Sequence, residues 1–204
     1  MKAESIVFAI AGMCFGTILG WVLASQQIGA RATIAAVTET ASPAPAANGS
    51  RQAPPLDEAR VQGLMTILKS DPKNVGAQVQ LANTYFDAER YPDAIKWYGE
   101  SLKLDPRNVD ASTDLGVSYY YTNRADDALK QFEYSLSLNP KHAKTLLNQG
   151  IVLAFGKQDL DGAARAWQKV VEMAPDSTEG QAAKRGLEGI AASRGGAAAP
   201  AAGG

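Results

Sequence analysis

Residues 109–140 read VDASTDLGVSYYYTNRADDALKQFEYSLSLNP and end on a proline. Proline has no backbone N–H to donate and turns its predecessor away from helix, so it closes a helical segment. Working outward, Pro140 belongs to a series with Pro72, Pro106 and Pro175, spaced 34, 34 and 35 residues apart. Each closes a similar phrase: Lys-Ser-Asp-Pro-Lys-Asn, Lys-Leu-Asp-Pro-Arg-Asn, Leu-Asn-Pro-Lys-His and Met-Ala-Pro-Asp-Ser. A period of this length with a helix-breaking close predicts stacked helical hairpins. Such arrays are surfaces for holding other proteins rather than vessels for chemistry.

The positions between the prolines fall into register. Leu81, Ala82 and Tyr85 align with Leu115, Gly116 and Tyr119, and with Gln149, Gly150 and Leu153. Ala94, Tyr98 and Ser101 align with Ala128, Phe132 and Ser135, and Ala163, Trp167 and Val170 follow once an extra residue is allowed in the turn near Lys157 to Asp161. Small residues at 82, 116 and 150 and at 94, 128 and 163 let the two helices of a hairpin cross closely. Tyr85, Tyr119, Tyr98, Phe132 and Trp167 fill the space against neighbouring hairpins. One hairpin cannot bury its apolar face alone, so stacking supplies the stability.

This pattern resembles the tetratricopeptide repeat (TPR) family over residues 56–193, departing from it at Gln149 and Leu153. The resemblance implies an all-α helical-hairpin solenoid, a right-handed superhelix. Its parts are a half repeat at 56–72, repeats at 75–106, 109–140 and 143–175, and a capping helix at 177–193. Leu64, Ile67 and Leu68 mark one face of the half repeat; Ala183, Leu187 and Ile190 form the buried stripe of the cap, opposite Lys184, Arg185 and Glu188.

The N-terminus carries the other organised feature. Ser5 to Ala24 reads SIVFAIAGMCFGTILGWVLA, without a charge. As a helix it would span about 30 Å, the thickness of a bilayer core, so 1–24 reads as a single transmembrane anchor. A signal peptide has a shorter apolar region, yet Val22-Leu23-Ala24 before Ser25 also fits a cleavage site, which would release a secreted module. No lipid-attachment pattern surrounds Cys14. Lys2 before the segment and Arg31 after it slightly favour a cytoplasmic N-terminus, with the repeats outside the inner membrane. Residues 25–55, rich in Ala, Pro, Thr and Ser, read as a disordered linker, and 194–204 as a disordered tail. Gly12, Gly16, Gly20 and Ala24 repeat every fourth residue on one face, a pattern that allows homo- or hetero-association of such helices in lipid.

Composition excludes several classes. A formal net charge of −1 gives no case for nucleic acid. The first two repeats are acidic and the third mildly basic, which would orient a polar partner. Cys14 is the only cysteine and His142 the only histidine, so the repeats offer no disulfide, no metal cluster and no His-based triad. Asp126 and Asp127 open a helix, where acids favour the positive end of its dipole. No glycine-rich phosphate loop appears; no catalytic residue, metal or cofactor is expected, and the chain reads as a non-enzyme.

The family resemblance further implies that the first helix of each hairpin lines a peptide-binding groove. The face away from the core gives Val79, Asn83, Phe86 and Asp87 in the first repeat. The second gives Asp110, Thr113, Asp114, Val117, Tyr120 and Tyr121, and the third Lys144, Leu147, Asn148, Ile151 and Phe155. Some relatives grip a terminal carboxylate with cations in this groove. Here Val79, Thr113 and Leu147 stand in those places, and Asn83 and Lys144 alone would fit such a grip. The expected ligand is therefore an apolar or amphipathic protein segment, with a basic residue met by the aromatic floor and acidic shoulders. The whole then reads as a membrane-anchored scaffold that recruits a partner to an envelope complex. Its architecture is similar to that of single-anchor assembly factors of cytochrome c maturation.

Overall fold

The helix boundaries follow from short capping phrases. The computed structural model describes residues 53–197, which fall within one compact unit beginning at Ala53. Among them are eight helices and no strand: α1 Glu58–Ser70, α2 Val75–Asp87, α3 Tyr91–Leu104, α4 Val109–Tyr121, α5 Ala125–Leu138, α6 Ala143–Ile151 continued by a π-helical turn Val152–Gly156, α7 Leu160–Met173 and α8 Thr178–Ala197. In the phrase before each first helix, Asp71, Asp105 and Asn139 accept from the backbone N–H of Lys73, Arg107 and Lys141 at 3.1–3.3 Å. Three residues after each of the two aspartates, Asn74 and Asn108 cap the next helix by accepting from Ala77 and Ala111 at 2.9 and 3.0 Å. Each cap is worth about 1 kcal/mol. The prolines between them only need to stop the preceding helix.

Within a hairpin the turn is also repeated. Glu89, Asn123 and Gln158 each take a left-handed backbone, with φ near 60°. The next residue bonds back across the turn, Arg90 to the Tyr85 carbonyl and Arg124 to that of Tyr119. In the third hairpin the same bond runs from Asp159 to Leu153, one residue further back. The extra residue of this repeat therefore lies before the turn, not in Lys157–Asp161 as the spacing predicted. It is taken up inside the helix, where Lys157 N–H reaches the Val152 carbonyl and the π turn forms.

Small residues meet rings inside each hairpin. A Cβ on Gly116 would stand 2.5 Å from Cε1 of Phe132, and one on Gly150 would overlap the Trp167 indole. In the first hairpin Ala82 and Ala94 are fully buried around Tyr98. Trp167 also lies against Gly186 of α8, where a Cβ would be 2.6 Å from the ring, so one indole joins the third hairpin to the cap. Its Nε1 donates to the Leu147 carbonyl at 3.1 Å. Burying rings of this size contributes about 2–3 kcal/mol each.

Ile67, expected on the buried stripe of the half repeat, is 45% exposed. Val61, Leu64 and Leu68 form that stripe instead. The equivalent positions in later repeats, Ser101 and Ser135, are buried; Ser135 bonds Ser112 of its own first helix, and no described first helix precedes α1. Ala183 and Ile190 are buried as expected, and α8 continues past Ser193 to Ala197. Among the described residues no helix is long and apolar enough to cross a membrane. The proposed anchor at 1–24 with Gly12, Gly16, Gly20 and Ala24, the linker up to residue 52 and the tail from 198 lie outside the described residues.

Candidate functional site

Side chains link the first helices α2, α4 and α6 at two junctions of different character. Between α2 and α4 the surface is aromatic. Phe86, near the end of α2, meets Tyr121 at the end of α4 edge to face, with ring centroids 6.4 Å apart. Tyr91, the first residue of α3, stacks on Tyr121 at 4.5 Å and 12° and meets Phe86 at 5.5 Å. Tyr120 adjoins Tyr121 at 5.8 Å. All four rings are half-buried. Burial, with Glu89 adding to it, pushes the Tyr91 phenol up to about 12. Burial raises Tyr121 further, helped by Tyr91, Tyr120 and Glu89, and also raises Tyr120. These phenols are neutral at physiological pH, so the floor is an uncharged surface able to exchange hydrogen bonds.

Between α4 and α6 the contact is polar, with two fully buried threonines at its centre. Thr113 Oγ1 donates to the Val109 carbonyl at 2.8 Å, so its 2.6 Å contact with Thr145 Oγ1 requires Thr145 to donate. Thr145 then accepts from His142 Nδ1 at 2.7 Å, and His142 Nε2 faces Asp110 Oδ1 at 3.3 Å. His142 stands where Asn74 and Asn108 cap their helices, but it makes no capping bond; its ring serves this chain instead. Lys144 Nζ pairs with Asp114 Oδ1 at 2.7 Å. Burial raises the Asp114 carboxyl, with Lys144 pulling it down.

The structure divides the expected groove residues. Phe86, Tyr120 and Tyr121 come together, and Asp87 stands exposed beside them at the end of α2. Asp110, Asp114 and Lys144 are joined to α4–α6 pairs, and Asn148 donates to the Lys144 carbonyl. Thr113 and Leu147 are not groove residues: they are 0% and 7% exposed. The neighbouring first helix covers Thr113, and the cluster around Trp167 covers Leu147. Val79 packs with Ala82 and Tyr98, Val117 with Phe132, and Ile151 and Phe155 with the Trp167 cluster, each half-buried. Asn83 accepts from the Tyr98 phenol at 2.6 Å. Tyr91 was missed because it lies on a second helix; the signal was Tyr-Pro opening α3, directly after the left-handed turn.

Comparison with known proteins agrees with this architecture. A TPR repeat family model matches residues 82–123, and a tetratricopeptide repeat model matches residues 113–178, so the chain contains tetratricopeptide repeats. No curated protein matches the sequence. The chain is similar to the crystal structure of MamA at a TM-score of 0.54 and 20% identity, over 68% of this chain and 88% of that one. It is similar to the first TPR of Spaghetti (RPAP3) bound to the HSP90 peptide SRMEEVD, at 0.54 and 23%, over 61% and 96%. It is also similar to the Sgt2 TPR domain from Aspergillus fumigatus, at 0.56 and 24%, over 64% and 87%. At these identities the likeness is one of fold.

Proposed function

We propose that this chain is a membrane-tethered TPR scaffold that holds an apolar or amphipathic segment of a partner protein along its first helices, assisting assembly of a complex at the cell envelope. The observation that carries this is the half-buried, uncharged aromatic surface made by Phe86 and Tyr121 at the ends of two first helices, with Tyr91 of the adjoining second helix stacked on it. The similarity to a TPR domain solved with a bound HSP90 peptide supports a protein or peptide partner. The uncharged run Ser5 to Ala24 supports the tether, with the repeats on the extracytoplasmic side. The small-residue face at Gly12, Gly16, Gly20 and Ala24 adds association of anchors to this reading. The residues Val22-Leu23-Ala24 before Ser25 favour a second reading, in which the segment is cleaved and the repeats act as a secreted peptide-binding module.

A photoreactive amino acid at Tyr121 in native membranes tests the scaffold. A single crosslinked partner, lost on adding Phe86→Ala while the circular dichroism melt is little changed, supports it. Absence of any crosslink there, beside efficient crosslinking from the opposite helical face, overturns it. Mass spectrometry of the mature N-terminus separates the two readings: an intact Met1 or Lys2 start in the membrane fraction supports the anchor, and a start at Ser25 supports secretion.

A further inference from the structure

A groove that grips a terminal carboxylate needs free cations on its first helices, and the one cation that α2, α4 and α6 carry is committed elsewhere. The Lys144 ammonium is held by Asp114 at 2.7 Å. Asn83 is a neutral amide whose Oδ1 accepts from the Tyr98 phenol. Arg90, at the neighbouring turn, is turned onto Asp93 at 2.9 Å. Among the described residues, the carboxylates beside the ring cluster, Asp87 and Glu89, make no ion pair. Asp87 ends α2 and Glu89 occupies the left-handed turn that follows, both exposed and two residues apart. Arg60 on α1 acts on Asp87 only as a Coulombic neighbour, and partial desolvation still raises that carboxyl.

We infer that the rings of Phe86, Tyr91 and Tyr121, with Asp87 and Glu89, form a docking point for an arginine or lysine side chain carried on an otherwise apolar partner segment. This rests on the groove reading above and names the chemistry the groove selects. Aromatic faces attract cations, and guanidinium groups also stack on them. Carboxylates beside the rings supply the counter-charge, and the partial desolvation of Asp87 strengthens the attraction. The fold uses the same contact internally: Arg124 lies over the Tyr119 ring at 4.3 Å in the second hairpin. Selection for positive charge is the opposite of what a carboxylate grip would impose.

The test uses the full-length chain in zwitterionic lipid nanodiscs, with empty discs as control. The probes are fluorescent, C-terminally amidated decapeptides with two Leu-Arg pairs in a Gly/Ser background, and Leu-Gln and Leu-Glu counterparts. An unbiased array of random decapeptides is read in parallel. The Leu-Arg peptide should bind about tenfold or more tighter than Leu-Glu, with Leu-Gln between. The paired variant Asp87→Asn with Glu89→Gln should lose that preference while its melt stays at the wild-type value. Equal binding of Leu-Glu, or a preference that survives the paired variant, overturns the inference. Array peptides that bind without enrichment of Arg or Lys overturn it while leaving the groove reading standing. If no array peptide binds, both fall.

Discussion

The junction between the first and second hairpins is made of rings, and the junction between the second and third of hydroxyls and charges. In the first, Phe86, Tyr91 and Tyr121 meet face and edge and stay only half-buried. In the second, a chain of hydrogen bonds runs from His142, which faces Asp110, through Thr145 and Thr113 to the Val109 carbonyl, with Lys144 on Asp114 beside it. The same helical-hairpin geometry tolerates both. A junction filled by mutually satisfied polar groups has little left to offer a ligand, whereas exposed aromatic surface still gains by being covered. That contrast, more than the shape of the array, locates the candidate site at the first junction.

The largest effect should come from the packing inside the hairpins that flank these junctions. A branched side chain at Gly150 would enter the Trp167 ring and one at Gly116 the Phe132 ring. Gly150→Val and Gly116→Val should each cost on the order of 3 kcal/mol in chemical denaturation. A variant close to wild type would mean that its hairpin can open without loss. Next in size is the polar junction. Thr113→Val removes the acceptor of the buried Thr145 hydroxyl and should cost about 2 kcal/mol. Adding Thr145→Val should recover part of that loss; strictly additive losses would show that the two hydroxyls are uncoupled.

The aromatic junction should respond more weakly. Tyr91→Ala removes a stacked, half-buried ring and should cost about 1 kcal/mol by thermal melting, because the equivalent residue of the second hairpin is already Ala125. A loss as large as that of Thr113→Val would make Tyr91 a core residue and weaken its assignment to the site. The smallest effect is a change of pH profile. Burial raises the folded-state carboxyl of Asp114 despite Lys144, so the folded chain holds this proton more tightly than the unfolded chain. Asp114 therefore costs stability at neutral pH, and the cost is relieved as pH falls through the raised value towards the ordinary carboxylate range. Asp114→Asn should flatten that part of the melting-temperature profile. A wild type that instead loses stability on acidification relative to the variant would mean that the pairing with Lys144 outweighs burial.

Much of the fold was legible because its signals are local and repeat. The prolines state one rule four times, and the small residues at 82, 116 and 150 and the rings at 98, 132 and 167 each state another three times. The site was less legible because it depends on neighbours. Choosing the face of a single helix opposite its own core puts Thr113 and Leu147 in the groove, but the next helices bury them. Tyr91 went unseen since its ring belongs to the second helix yet reaches the end of the first and the end of the next hairpin's first helix. Ile67 looked buried by periodicity, although a residue adjacent to Leu68 in sequence sits roughly 100° away around a helix. The extra residue was misplaced for a related reason: spacing counts residues between landmarks without saying whether a loop or a helix absorbs the surplus.

The widened turn at Val152–Gly156 gives this array tolerance in its register. By letting one carbonyl be reached from five residues on, the chain hides a surplus unit and delivers Gln158 to the same left-handed corner as Glu89 and Asn123. Length can then drift by one without disturbing how later layers are seated, so evolution or an engineer can splice a 35-residue module among 34-residue ones and still keep the terminal indole against α8.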